Sequence, residues 1–345
     1  MSMWRRGLLC AVLAAISNVA AGVDVSGTLL VANRDGGSVS LFDLAARVEI
    51  ARVPIGPKIP HEIAVSPDGR LALTGEYGSN DAPGRHIVVI DIASATVLGR
   101  IDLGAESRPH SVAFLPDGRR AVATMERADR IALLDVVDRR VLRTFPTGGR
   151  EGHMVRSSPD GTRAYVTSRG AEGTLSVIAL DADVAPVVIP TGQGAEGLAV
   201  TPDGREVWVV NRGAASISIV DAASLRVVET IAARPNAGRV EISRDGRVLV
   251  PNGASAQATA QYLTVYDART RAVVDELAVR ESGRGAFGIH LFGEVAFVSD
   301  RGERSIRLYD LAASLAEAET LTTEHDDPDG LAYSPVRVQV YDQDD

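Results

Sequence analysis

From residue 28 onward the chain alternates apolar and polar positions in short runs broken by tight turns, the two-residue period of half-buried strands. SPDGR (66–70), LPDGR (115–119), SPDGT (158–162), TPDGR (201–205) and SRDGR (243–247) place glycine at 69, 118, 161, 204 and 246, so the intervals are 49, 43, 43 and 42. A short apolar run precedes each turn (IAV 63–65, VAF 112–114, LAV 198–200) and an alternating run follows it, as in RAYVTS (163–168) or EVWVVN (206–211). Each pair reads as a hairpin. A third strand ends in Asp: SVSLFD (38–43), HIVVID (86–91), RIALLD (130–135), SISIVD (216–221), LTVYD (263–267) and SIRLYD (305–310), with SVIALD (176–181) a less regular copy. A fourth strand, such as RVVETI (226–231), closes the unit.

A repeat of about 40–45 residues with four strands is the signature of a radial array. Second-to-fourth-strand triplets begin near 28, 72, 121, 164, 207, 248 and 295, and first strands near 61, 110, 153, 196, 238, 287 and 329. The chain thus opens on a triplet and ends on a lone first strand, DGLAYSP (329–335). Joining the two removes the free edges of an incomplete sheet. The pattern predicts an all-β fold: one seven-bladed β-propeller domain over 22–345, of four-stranded antiparallel blades, its ring closed by the C-terminal strand.

Residues 1–21 read differently. Arg5 and Arg6 precede the apolar run GLLCAVLAAI (7–16), and Val19 and Ala21 have the spacing of a signal-peptidase site, which predicts an exported, periplasmic or secreted chain beginning near Gly22. The sole cysteine, Cys10, lies in this leader, so the mature chain would carry neither disulfide nor thiolate ligand. No other stretch has the roughly 18–20 apolar residues of a membrane span. The formal charge of −9, or −11 once the two leader arginines are lost, argues against nucleic-acid and anionic-lipid partners.

VWVVNRG (207–213), YVTSRG (165–170) and the PDG turns resemble the YVTN-repeat propellers, the family that includes the periplasmic YncE-like proteins; the resemblance runs from about Thr28 to Pro335. It implies the propeller fold. Lactonases, redox-enzyme subunits and propellers without assigned chemistry share that fold, so function must be argued from the site. FGIHLFGEVAFV (287–298) departs from the pattern, lacking the PDG turn.

Aligning the copies puts His61, His110, His153, Glu196, Gly238, Phe287 and Asp329 at one position, at the mouth of the axial channel. Glu62 and Arg239 come next; Arg156, Glu241 and His290 stand two positions further, where Ala64, Ala113, Ala199 and Ala332 occupy other blades. Glu76 and Glu126, at second-strand ends, and Arg34, Arg169, Arg212 and Arg301 just beyond, are expected on the same face. So are the two longest connections, 76–86 and 252–262, while the PDG-turn face reads as purely structural.

Three imidazoles with an acid beside them are a ligand set for a divalent transition metal (zinc, copper or iron), with His61, His110, His153 and Glu196 as ligands. Arg156, Arg239, Glu241, His290, Glu76 and Glu126 are the candidate ligand-binding residues. The leading expectation is a module binding a small molecule or metal ion. A metal-dependent, lactonase-like hydrolase would use the same ring, with Glu62 or Glu196 as general base and Arg156 or Arg239 clamping an anion. A protein-interaction scaffold, with a partner on the loop-rich face, is the third alternative. Whether the protein is an enzyme stays open, and no nucleotide or haem signature is present. Against a site stands the reading of each histidine as a hydrogen-bonding element of its own blade; Glu and Asp at the same position in other blades weigh against that. His86 and His325 are expected on exposed loops, the acidic run 324–329 as a solvated loop, and the third-strand Asp residues as turn formers. No GxSxG elbow supports serine catalysis.

Overall fold

Each PDG turn is built by its own side chains. Gly69 N–H donates to Ser66 O at 2.8 Å, and Asp68 Oδ1 accepts from the Ser66 hydroxyl at 2.6 Å and the Arg70 amide at 3.1 Å. The glycine must take a positive φ, between 68° and 87° in all five PDG copies, which a side chain would strain. The third-to-fourth-strand turn is organised by the strand-ending Asp: Asp43 Oδ1 accepts from the Ala45 and Ala46 amides, Asp91 from Ser94, Asp221 from Ser224 and Asp267 from Thr270. These residues are turn formers, as their chemistry predicts.

The computed structural model describes residues 25–56, 59–253, 260–280, 288–313, 315–324 and 327–339; the leader, Lys58, Phe287 and His325 lie outside them. Seven four-stranded antiparallel sheets form the chain. Blade 1 is Ile63–Val65, Leu71–Gly75, His86–Asp91 and Thr96–Asp102; blades 2 to 6 follow in sequence with innermost strands Val112–Phe114, Gly152–Ser157, Ala195–Val200, Glu241–Ile242 and Ile289–Phe292. Blade 7 combines Pro328–Ser334 with Thr28–Asn33, Ser38–Asp43 and Val48–Pro54. The two ends of the chain pair antiparallel, Leu30 opposite Ala332 and Thr28 opposite Ser334.

Second and third strands such as Thr28–Asn33 and Ser38–Asp43 are buried almost throughout, whereas the fourth strand Thr96–Asp102 alternates. The apolar side chains collect between blades: Leu73, Ile87 and Ile101 of blade 1 pack with Ala121, Ala132 and Leu134 of blade 2, and six further clusters join the other neighbouring pairs, including blade 7 to blade 1 and blade 6 to blade 7. Small residues let the sheets approach, and Val, Ile and Leu fill the wedge.

Blade 3 departs from expectation. Its third strand is Thr174–Ala179, ending two residues before Asp181, and Ala179 faces Arg163 where Asp91 faces Leu71 in blade 1. SVIALD (176–181) reads as the third strand, but this copy has Ala179, not a carboxylate, at the turn position, and Asp181 lies beyond the strand. The other six blades show a register shift between third and fourth strands, and blade 3 shows none.

Candidate functional site: a cationic mouth on the axial channel

Just before or near the start of five innermost strands, His61, His110, His153, Glu196 and Asp329 line one cavity. His61 and His110 have ring centroids 4.7 Å apart, and His110 lies against His153 at 3.6 Å, tilted by 35°. Three blades therefore supply a continuous stack of buried imidazoles. The outer two are oriented by carboxylates from other strands: His61 Nδ1 bonds Asp329 Oδ2 at 2.8 Å, and His153 Nδ1 bonds Glu126 Oε2 at 3.0 Å. With Nδ1–H as donor in both, His61 Nε2 is left without a hydrogen bond, and Glu196 Oε1 lies 3.3 Å from His153 Nε2.

Around this stack lies a cavity of about 200 Å³ whose lining includes Arg34, Arg108, Arg169, Arg212, Arg239 and Arg301 with the carboxylates Glu196 and Asp329, while Glu126, Asp327 and Glu62 pair with five of these arginines from outside the lining. Arg34, Arg169, Arg212 and Arg301 were expected near this face from their place after the second strands, and they line the cavity. Arg239 is buried, donating to Glu62 Oε1, with Glu196 Oε1 3.5 Å from its other terminal nitrogen. Arg301 Nη2 reaches Asp329 Oδ1 at 2.7 Å. The Nε–H groups of Arg34, Arg108 and Arg169 are buried with no hydrogen-bond acceptor.

The charges set the protonation states. Burial, then the neighbouring His153, His61, Arg239 and Arg169, pushes the His110 imidazole well below its ordinary value, so it is neutral at pH 7. Burial opposes ionisation of Glu196, but His153, Arg239 and Arg212 outweigh it and hold the carboxyl well below the usual range. Asp329 is held low in the same way, burial being overcome by Arg301, His61 and Arg239.

Two cavity residues escape the repeat alignment, Tyr77 and Arg108. Tyr77, from the long connection 76–86, stands edge-on to His61 at 4.4 Å and donates its hydroxyl to Glu126 Oε1 at 2.8 Å. Arg108 lies over the Tyr77 ring at 4.0 Å. The usable signal was their place in sequence: Tyr77 opens the longest described connection and Arg108 stands two residues before His110.

Several predicted residues lie elsewhere. Glu76 binds His86 Nδ1 at 2.7 Å and Arg100 Nε at 2.8 Å and does not line the cavity. His86 accordingly belongs to a strand and is partly buried by this pair, not to an exposed loop. Arg156, Glu241 and His290 are not at the mouth. They line a second cavity, about 340 Å³, deeper along the channel, together with Glu62, and Arg239 lines both cavities. Pro67 and Pro116, at the start of two PDG turns, are part of the second cavity's lining. The repeat gives the level of a residue along the axis, but not that Arg239 pairs with Glu62. Of the other long connection, 254–259 lie outside the described residues.

Burial and then the Arg156 charge push the His290 imidazole down to about 4. A base depressed in the folded state takes up protons more readily when unfolded, so stability is full above about 6.5 and falls as pH drops toward 4. At about 1.4 kcal/mol per pH unit, the loss attributable to this ring is at most about 3.5 kcal/mol. Thermal melting of wild type and His290→Gln between pH 7 and 4 should show a shallower decline in the variant; parallel declines would contradict this assignment.

Seven four-stranded sheets with three neighbouring imidazoles and six arginines lining one end of the channel define a β-propeller with an arginine-rich channel mouth. Residues 176–292 match the model of the YNCE-like beta-propeller family, and the chain as a whole is a seven-bladed β-propeller. No curated protein matches. Among solved structures, the chain is similar to hydrazine synthase of Kuenenia stuttgartiensis at 21% identity and TM-score 0.63, over 73% of this chain and 76% of that one. It is also similar to a functionally unknown protein from Desulfotomaculum acetoxidans DSM 771, at 15% identity and TM-score 0.71 over 91% of this chain and 100% of that one. Both likenesses are of fold. Among the described residues no helix is long and apolar enough to cross a membrane.

Proposed function

We propose that this protein is a binding module that captures a small anionic ligand at the axial mouth. One observation carries the reading: the Nε–H donors of Arg34, Arg108 and Arg169 are buried without an acceptor, and all three residues belong to a cavity lining that holds six arginines and two carboxylates. A buried donor left unpaired costs about 1–3 kcal/mol, and more for charged groups, so such a cluster is held in readiness for a ligand or ordered water. Planar guanidiniums suit a carboxylate or phosphate group. The leader read in residues 1–21 makes export to the periplasm or beyond part of the proposal.

Calorimetric titration of the purified chain with inorganic phosphate, oxalate and succinate tests this. At least one should bind saturably, and Arg169→Gln should weaken it about tenfold or more, the loss of one or two charge-assisted hydrogen bonds. Absence of saturable heat, or an Arg169→Gln variant that binds as wild type, would contradict the proposal.

A transition-metal ion is the second reading. Its support is the pairing of His61 and His153 with carboxylates through Nδ1, the arrangement that orients a metal-ligating imidazole, together with unpaired His61 Nε2 and His110 Nδ1. The donor types fit zinc, copper or iron, but the rings lie tilted against one another by 31° and 35°, and among the described residues no group of three or more such side chains is disposed around one point. Stoichiometric metal in purified protein, lost in the His61/His110/His153 triple alanine variant, would favour this reading. A lactonase-like hydrolase has less support, since Glu62 is committed to Arg239 and Glu196 is held ionised, leaving neither suited to accept a proton near neutrality.

A further inference from the structure

The deeper cavity has a different chemistry from the mouth. All seven innermost strands contribute to it, and most of its wall is apolar, including Val65, Phe114, Leu198 and Leu331. Alanines at 64, 113 and 332 keep it open on one side, while Arg156, Glu241 and His290 stand at the same level in the other blades. Toward the mouth, Arg239, which lines both cavities, is tied to Glu62 of blade 1. At its other end the cavity reaches Pro67 and Pro116, the start of two PDG turns.

Its polar groups are incompletely used. Arg156 reaches Glu241 Oε1 at 3.3 Å, longer than the roughly 2.7–2.9 Å of a strong charge-assisted bond, and otherwise donates only to the carbonyl of its neighbour Val155. No hydrogen bond to the His290 ring is found among the described residues. Arg156 and Glu241 cancel in charge, as do Arg239 and Glu62, so nothing in the chamber demands a charged guest. An apolar room of several hundred Å³ with a few convergent polar groups has the character of a small-molecule site.

We propose that this chamber is a second binding site, independent of the mouth, for a small neutral molecule with an apolar body and a carbonyl or hydroxyl group, entering from the PDG-turn face. Arg156 donates to the carbonyl oxygen. The neutral imidazole of His290, or the Glu241 carboxyl, engages a hydroxyl at the other end. The site does not require an anion at the mouth, because the two cavities share only Arg239 in their linings.

Saturation-transfer NMR on the full chain, with 4-hydroxyacetophenone as probe and 4-hydroxybenzoate as its charged counterpart, tests the proposal. The ketone should bind saturably and more tightly than the benzoate, and saturating oxalate should leave it bound. Ala113→Phe, which fills the chamber, should abolish the signal, and Arg156→Met, at a partly exposed side chain, should weaken it at least tenfold while the protein stays folded. No saturable binding of the ketone, displacement by oxalate, or undiminished binding in folded Arg156→Met would overturn it.

Discussion

A chain cut after Asp327 should lose its cooperative unfolding transition altogether. The deletion strips Pro328–Ser334 from the edge of Thr28–Asn33, uncovering Leu29, Leu30 and Val31, which are fully buried, and removing Leu331 and Ala332 from the clusters that join blade 7 to both neighbours. Burial of each large aliphatic side chain contributes roughly 1.5–3 kcal/mol. Several lost together approach the roughly 5–15 kcal/mol that holds a domain folded. An open ring also presents a bare strand edge, so aggregation should accompany the loss. Calorimetric or urea melts check this, and a synthetic 328–339 peptide added in trans should restore part of the transition. A truncated chain melting cooperatively within a few degrees of the full one would show that closure contributes little.

The second large effect is expected at Arg239. Its guanidinium is 5% exposed and joins Glu62 and Glu196, with Asp329 also held by its charge. Arg239→Met leaves these carboxylates buried without their main counter-charge, and breaking a buried pair from one side costs about 3–5 kcal/mol. The sign with pH follows from the same groups. Glu196 and Asp329 are depressed in the folded protein, so the stability they contribute is present above their unfolded values of 4.5 and 3.8 and is lost as pH falls toward the lower folded values. The gap between wild type and variant should therefore be widest near pH 7 and narrow below about pH 4.5. Urea unfolding at pH 7 and pH 4 measures it, and adding Glu62→Gln to the variant should recover part of the loss. A constant gap would mean that Arg239 acts by packing alone.

The repeat made the architecture legible because hairpin, turn glycine and terminal Asp each have a local physical cause written into a few adjacent residues. The shared level of His61, His110 and His153 followed from the same alignment. What the repeat could not supply was direction across the axis. Glu76 and Glu126 end equivalent second strands, yet Glu126 turns inward to His153 and Tyr77 while Glu76 is captured by His86 and Arg100. The difference lies in neighbours from other strands, which no single copy encodes. Likewise Arg156, Glu241 and His290 share a level, but no single copy shows that Arg239, in the same cavity lining, meets Glu62 across 177 residues of sequence. Blade 3 misled for the opposite reason: Asp181 imitates the repeat two residues out of register.

Anomalous diffraction from crystals grown with selenate tests the mouth most directly. The account predicts one strong selenium peak inside the cavity, within hydrogen-bonding distance of the Arg108 and Arg169 Nε atoms and above the stacked imidazoles. Selenium peaks confined to the outer surface, with the imidazoles turned toward their own blades, would contradict it.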